Sequence, residues 1–133
     1  MKKIIGGVLS GLLAASLIAT AAPAETLKIG MMGPLTGPYA ADGNDIANGV
    51  RVAIDVINEE GGISGYDKIE LFPQDTACDP KQAVAAANNL INEEVVGVVG
   101  AYCSSSTIPA SETLAEEDIL MLTPASTNEK VTD

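Results

Sequence analysis

The sequence has 133 residues, of which 47% are hydrophobic, and its 18 acidic and 7 basic residues give a formal net charge of −11. This balance excludes binding of nucleic acid or an anionic membrane through a basic surface, because both need clusters of lysine and arginine. The length suits one small domain, and the chain contains no histidine.

The first 24 residues have the pattern of a secretory signal peptide. Two lysines precede an apolar stretch at about 4–18, and Ala22-Pro23-Ala24 has the small residues that signal peptidase accepts. A transmembrane anchor is the weaker interpretation, because glycines and serines interrupt the stretch and it falls short of about 20 strongly apolar residues. We therefore expect an exported product, cleaved after Ala24, with a mature domain of residues 25–133. The end of the sequence resembles the start of a further element, so we expect a longer protein.

A strand, a loop and a helix are predicted next. Residues 27–32 are apolar and form the strand, and the loop GPLTGPYAADG follows. Asp42 or Asn44 is expected to cap the helix and Gly61-Gly62 to end it. Its apolar stripe is predicted to consist of Ile46, Val50, Ala53, Ile54 and Ile57.

The rest of the chain continues this alternation. Residues 68–73 form a second strand, and Asp79-Pro80 opens a second helix, since aspartate caps helices and proline suits the first turn. The valine-rich run 95–100 is typical of a strand covered on both faces. A third helix begins near Ser104 and a fourth strand covers 119–122, so the order predicts an α/β fold with a parallel sheet and helices on both faces. The buried face of the second helix is predicted as Ala83, Val84, Ala87, Leu90 and Ile91.

The two cysteines, Cys78 and Cys103, favour a disulfide, because an even number of cysteines in an exported chain is usually paired. Closing the loop of 25 residues between them would stabilise the fold by about 3.5 kcal/mol in the chain-entropy description. A metal site is the poorer alternative, because the chain has no histidine and the cysteines are too few and too far apart for zinc. We predict no metal and no cofactor.

Motifs of common enzyme classes are missing. The glycines after the first strand do not have the G-x-G-x-x-G spacing of a dinucleotide site, and the lysine of a phosphate loop is absent. A serine nucleophile would need G-x-S-x-G, whereas Tyr102 and Ser106 occupy the glycine positions around Ser104. No histidine is present to act as its base. We therefore predict that the protein is not an enzyme.

A binding site is predicted at the carboxyl ends of the strands, where open parallel sheets bind ligands. The run Ser104-Ser105-Ser106 lies between a strand and a helix, where free N–H groups and the helix dipole favour an anion such as a carboxylate. The loop TPAST offers carbonyls and the Thr127 hydroxyl to an ammonium group. Periodicity alone fits a second interpretation equally well, in which the serines only cap the helix and face solvent.

Three motifs, ACDPKQAVAAANNLIN, CSSSTIPAS and ILMLTPAST, resemble the leucine/isoleucine/valine-binding protein family of branched-chain amino acid ABC transporters. The similarity runs from residue 27 to about residue 127. It implies a type I periplasmic binding protein, in which two α/β lobes joined by a hinge close on an amino acid. Residues 25–133 would form the N-terminal lobe, and the second lobe is absent from this sequence.

The resemblance also implies roles for individual residues. The ligand's α-carboxylate would be held at Ser104, with Ser105 as a second contact, and its ammonium group at Ala125 and Thr127. The disulfide would join Cys78 and Cys103. The family's aromatic contact from the first loop falls at Asp42, with Tyr39 three residues earlier. Either Tyr39 covers the ligand side chain from a shifted loop, or the pocket is more polar there.

The function implied is capture of a branched-chain or related amino acid in the periplasm and its delivery to a membrane permease, by a protein that is a monomer. The alternative is a ligand-sensing domain of the same fold, which binds an amide or other small carboxylate for signalling or regulation.

Overall fold

The computed structural model describes residues 25–132. Its four strands are parallel and lie in the order β2-β1-β3-β4, which confirms the predicted α/β sheet. Within the described part of the chain, no helix has the length and apolarity needed to cross a membrane. The expected signal peptide and its cleavage site lie outside the described residues. The elements are β1 Thr26–Gly33, α1 Ala40–Glu59, β2 Lys68–Asp75, α2 Pro80–Asn92, β3 Gly97–Val99, α3 Ser104–Ala115, β4 Leu120–Leu122 and a 3₁₀ turn at Glu129–Val131.

Helices cover both faces of the sheet, as predicted. Met32 is fully buried in a cluster that includes Leu90 of α2 and residues of α3. Successive residues of a strand point to opposite faces, so Met31 faces the other side. A Cβ added at Gly33 would lie 2.9 Å from the Met31 side chain and 3.9 Å from Cα of Gly43 in α1. One face of β1 is therefore covered by α2 and α3, and the other by α1.

The start of α2 follows the sequence prediction. Asp79 is the N-cap, and its carboxylate accepts a hydrogen bond from the backbone N–H of Gln82 at 2.8 Å. Pro80 occupies the first helical position, where a missing N–H costs nothing. Three of the five predicted core residues are fully buried, whereas Val84 and Ile91 are half-buried. The buried residues of α2 are Ala83, Ala86, Ala87 and Leu90.

The predicted start of α1 was wrong. The helix begins at Ala40 with Tyr39 at its N-cap, so Asp42 and Asn44 both lie inside it. The predicted stripe was also partly wrong, since Ala53 is exposed. The buried residues of α1 are Gly43, Ala47 and Ile54.

A close contact in the first turn explains the earlier start of α1. Gly43 lies against Pro34, and a Cβ at that position would overlap the Pro34 carbonyl oxygen. The Asn44 side chain donates hydrogen bonds to the carbonyls of Leu35, at 3.2 Å, and Ala40, at 2.6 Å. Asn44 therefore ties the preceding loop to the helix instead of capping it.

Strand β4 forms an edge of the described sheet, and two of its three residues are exposed. Met121 packs against the core on the side of α2 and α3. Leu120 and Leu122 point to the opposite face and are 77% and 68% exposed. Within residues 25–132, this strand is therefore covered on one face only.

Candidate functional site

The carboxyl ends of the four strands lie at one edge of the sheet, which we call the rim. Because the strands are parallel, the loop that follows each strand emerges at this edge. The first loop is 34–39, the second 76–79, the third 100–103 and the fourth 123–128. Every predicted site residue lies in one of these four loops or in the first two residues of α3.

Asp75, the last residue of β2, holds the first and second loops together. Its Oδ1 accepts hydrogen bonds from the backbone N–H groups of Leu35, Thr36 and Ala77, at 2.8, 3.2 and 2.9 Å. Its Oδ2 accepts one from the Thr36 hydroxyl at 2.5 Å. Hydrogen bonds to a charged acceptor are about twice as strong as neutral ones. A single carboxylate therefore fixes two loops that are about 40 residues apart in sequence.

The surroundings of Asp75 favour its charged form. Burial acts to raise the pKa of Asp75, but the hydrogen bonds from Thr36, Ala77 and Leu35 together outweigh burial. The pKa of Asp75 consequently lies below its ordinary value of 3.8. The carboxylate is thus ionised at neutral pH and keeps all four acceptor contacts.

A disulfide joins the second loop to the third. Cys78 and Cys103 are bonded, with their Cα atoms 5.5 Å apart, as predicted. Ser105 adds a hydrogen bond across the same junction, from its hydroxyl to the Cys78 carbonyl at 3.3 Å. Ala77 and Cys78 both have positive φ angles, 44° and 58°, so the second loop turns sharply where it meets the third. The bridge therefore links the two halves of the rim covalently.

Neutral hydroxyl groups fasten the third loop to the fourth. The Ala101 carbonyl accepts hydrogen bonds from the hydroxyls of Thr107, Thr123 and Ser126, at 3.2, 2.7 and 3.3 Å. The hydroxyls of Thr107 and Ser126 are also 2.6 Å apart. Ser126 reaches the Tyr102 carbonyl as well, at 3.3 Å. This network fixes the loop that carries Ala125 and Thr127 against the start of α3.

Ser104 lies at the centre of this half of the rim. Its Oγ accepts hydrogen bonds from the backbone N–H groups of Thr127 and Asn128, at 3.2 and 3.3 Å. A serine hydroxyl has two acceptor lone pairs and one O–H donor. Because both lone pairs are engaged, the O–H is left to donate, and a ligand oxygen at the rim is a suitable acceptor.

The start of α3 adds further donors. The first hydrogen bonds of the helix run from the N–H groups of Ser106 and Thr107 to the Cys103 carbonyl, at 2.9 and 3.0 Å. The N–H groups of Ser104 and Ser105 precede these bonds and have no partner within the helix. Together with the Ser104 O–H, they form a cluster of donors at the positive end of the helix dipole. Such a cluster suits a carboxylate.

Two tyrosine rings, from the first and the third loop, lie together at the rim. The rings of Tyr39 and Tyr102 have centroids 6.0 Å apart and are inclined by 43°. Tyr102 also interacts with Asp42, whose hydrogen bond and negative charge raise the pKa of Tyr102 above its ordinary value of 10.0. The sequence reasoning did not select Tyr102 as a site residue. Its position at the end of β3, directly before Cys103, was the available signal.

The predicted site residues are brought together to different degrees. Ser104 and Thr127 are in direct contact, and Ala125 lies on the same loop, exposed as Thr127 is. Ser105 is engaged with the Cys78 carbonyl, while Tyr39 is 49% exposed beside Tyr102. Between residues 25 and 132, no group of acidic, cysteine or histidine side chains could hold a metal ion. The rim of these residues is an open surface that encloses no cavity.

Comparison with known sequences finds relatives that share most of this chain. The sequence profile of the periplasmic binding protein family matches residues 26–133. The leucine-specific-binding protein of Salmonella typhimurium is 42% identical over 132 residues, which is 99% of this chain and 35% of the relative. The leucine-, isoleucine-, valine-, threonine-, and alanine-binding protein of Pseudomonas aeruginosa is 47% identical over 109 residues, 82% of this chain and 29% of the relative. The chain thus spans about a third of the length of these relatives.

A solved structure shares the fold. The branched-chain amino acid transporter substrate binding protein of Streptococcus pneumoniae, in complex with isoleucine, matches with a TM-score of 0.77 and 30% sequence identity. The match covers 81% of this chain and 31% of that protein. The parallel sheet and its flanking helices therefore occur in a known ligand-binding protein.

Proposed function

Because the chain belongs to the periplasmic binding protein family, we propose that residues 25–133 are the N-terminal lobe of an exported solute-binding protein. This protein captures a branched-chain or related amino acid in the periplasm and delivers it to the permease of an ABC transporter. Residues 1–24 are its signal peptide, with cleavage after Ala24. The names of the relatives, several of which mention leucine, isoleucine and valine, support this ligand class.

The observation that carries the proposal is the hydrogen bonding of Ser104. Both acceptor lone pairs of its hydroxyl are engaged by the fourth loop, so the O–H is oriented to donate. The adjacent N–H groups at the start of α3 are donors too. An α-carboxylate placed here receives several hydrogen bonds, and each is charge-assisted.

The fourth loop supplies acceptors for the other end of the amino acid. The Ala125 carbonyl and the Thr127 hydroxyl belong to a loop that Thr123 and Ser126 hold in place. These oxygens suit the three N–H donors of an α-ammonium group. Since Thr127 also touches Ser104, the donors for the carboxylate and the acceptors for the ammonium group lie side by side, as these two groups do in an α-amino acid.

The open rim supports a role for a second lobe. A ligand bound on this surface would keep much of its own surface in water, whereas small-molecule sites bury most of their ligand. A second lobe that closes over Tyr39 and Tyr102 would exclude this water. The mechanism is therefore capture by closure, and no covalent step is involved.

The proposal is tested with the mature protein as expressed from its gene. We expect Ser104→Ala to weaken L-leucine binding, measured by calorimetry, by about 10- to 100-fold, the loss typical of a hydrogen bond to a charged group. Ser111→Ala is the matched control, because the Ser111 hydroxyl on the same helix bonds only the Ile108 carbonyl, at 2.9 Å. Equal affinity of wild type and Ser104→Ala would remove the site assignment.

A further inference from the structure

Asp75 is the most heavily engaged side chain of the rim, although no predicted ligand contact includes it. It accepts four hydrogen bonds, three from the first loop and one from the second. The carbonyl of Asp75 is also engaged, by the Gln82 side chain at 3.0 Å. The positions of both loops therefore depend on one residue at the end of β2.

The contacts of Asp75 determine the position of Tyr39. Thr36, which contributes two of the four hydrogen bonds, is separated from Tyr39 only by Gly37 and Pro38. Gly37 has a φ of 84°, a conformation that a residue with a side chain rarely adopts. Proline fixes the next backbone angle. The path from Thr36 to Tyr39 is thus short and restricted, so fixing Thr36 largely fixes the tyrosine.

We infer that Asp75 is a positioning residue for ligand binding, which places the first loop so that Tyr39 meets Tyr102 and the two rings form one wall. The inference rests on the proposed function, because this wall would cover the ligand's side chain. Asp75 itself touches no ligand and acts through Tyr39.

The pattern of the four hydrogen bonds predicts that the shape of the side chain at position 75 matters more for ligand binding than its negative charge. Asparagine at this position keeps an oxygen that can accept from Leu35, Thr36 and Ala77, as Oδ1 does now. Its amide N–H can donate to the Thr36 hydroxyl, which is able to rotate and accept. Asp75→Asn should therefore rescue what Asp75→Ala loses.

Affinity measurements on the mature protein test the inference, with L-leucine as the probe. We expect Asp75→Ala to weaken binding by about tenfold, at a temperature where every variant is folded, and Asp75→Asn to stay within about threefold of wild type. Asp79→Ala is the matched control, because the Asp79 carboxylate accepts a backbone N–H in the same loop region without touching the first loop. Its affinity should stay within about twofold of wild type.

A double-mutant cycle separates positioning from general stability. If Asp75 acts through Tyr39, the loss caused by Asp75→Ala should shrink to about twofold or less in a Tyr39→Ala background. An undiminished loss in that background, or equal losses for Asp75→Ala and Asp79→Ala, would overturn the inference. If Asp75→Ala does not fold, Thr36→Val replaces it in the cycle, with an expected loss of about threefold and the same dependence on Tyr39.

A measurement without ligand distinguishes failure of this inference from failure of the proposed function. Nuclear Overhauser contacts between the Tyr39 and Tyr102 rings should be present in wild type, Asp75→Asn and Asp79→Ala, and lost in Asp75→Ala. Retention of these contacts in Asp75→Ala would overturn the positioning role whatever the leucine affinity. Loss of the contacts in Asp75→Ala together with unchanged leucine binding in Ser104→Ala would uphold the placement of Tyr39 by Asp75 and reject the carboxylate site proposed at Ser104.

Discussion

The two halves of the rim are held by different chemistry. The first and second loops are fastened by one carboxylate, Asp75, which gathers four hydrogen bonds. The third and fourth loops are fastened by neutral hydroxyls around the Ala101 carbonyl, together with the Ser104 Oγ. The two halves meet at the disulfide, at the Ser105 hydrogen bond to Cys78 and at the paired rings of Tyr39 and Tyr102.

This difference matches the task proposed for each half. The third and fourth loops, the neutral half, contain the proposed contacts for a ligand carboxylate. A fixed negative charge among these contacts would repel the carboxylate. The first and second loops, the charged half, carry Tyr39. The ring of Tyr39 has to be positioned correctly, but it is not proposed to bind the ligand carboxylate. The carboxylate of Asp75 accepts its four hydrogen bonds from its own loops, which partly offset its negative charge.

Removing the disulfide should have the largest effect, because it is the covalent link between the two halves. We expect the Cys78→Ser, Cys103→Ser double variant to lower the free energy of unfolding by about 3.5 kcal/mol, since the 25-residue loop is no longer closed in the unfolded chain. Urea unfolding of the mature protein, followed by circular dichroism, measures this loss. Reduction of the disulfide in the wild type should cause the same loss of stability, whereas the reducing agent should leave the stability of the double variant unchanged. A loss below about 1 kcal/mol would contradict the assigned role of the bridge.

Weakening the neutral half should have a smaller effect. Thr107 is 2% exposed, and its hydroxyl contacts Ala101 and Ser126. Thr107→Val keeps the shape but leaves these partners short of one hydrogen bond, which should lower the free energy of unfolding by about 1–2 kcal/mol. Thr113→Val on the same helix is the control, because its hydroxyl bonds only the Pro109 carbonyl, and its cost should be a few tenths of a kcal/mol. Equal costs would show that the network does not hold the fourth loop.

Acid should weaken the charged half alone, and this effect should be the smallest. Because the folded-state pKa of Asp75 is lowered, its ionised carboxylate stabilises the fold above the ordinary pKa of 3.8. This contribution is lost as the pH falls through the lowered value. The stability difference between wild type and Asp75→Asn, about 1 kcal/mol or less for a partly exposed group, should therefore narrow below about pH 4. The loss of unfolding free energy caused by Thr107→Val should not change over the same pH range. A parallel change with pH in this loss and in the difference between wild type and Asp75→Asn would contradict the comparison.

Features set by neighbouring residues could be predicted from the sequence. Asp79-Pro80 forms the cap of α2 as expected, because the hydrogen bond reaches only three residues along the chain. The start of α3 at Ser104 was also correct, since a run of three serines follows the strand and the short loop 100–103 there.

Features set by distant residues could not be predicted. The start of α1 depends on the contact of Gly43 with Pro34 and on Asn44 reaching back to Leu35. The role of Asp75 depends on a partner 40 residues away, and nothing in its local pattern distinguishes it from a solvated aspartate. The pairing of Tyr102 with Tyr39 likewise requires knowledge of how the loops converge.

The most direct test of the account is a crystal structure of the mature protein with L-leucine. The account predicts that the ligand carboxylate lies within hydrogen-bond distance of the Ser104 hydroxyl. Its ammonium group should contact the Ala125 carbonyl and the Thr127 hydroxyl. Leucine bound with its carboxylate away from Ser104, or bound at another edge of the sheet, would contradict the central claim.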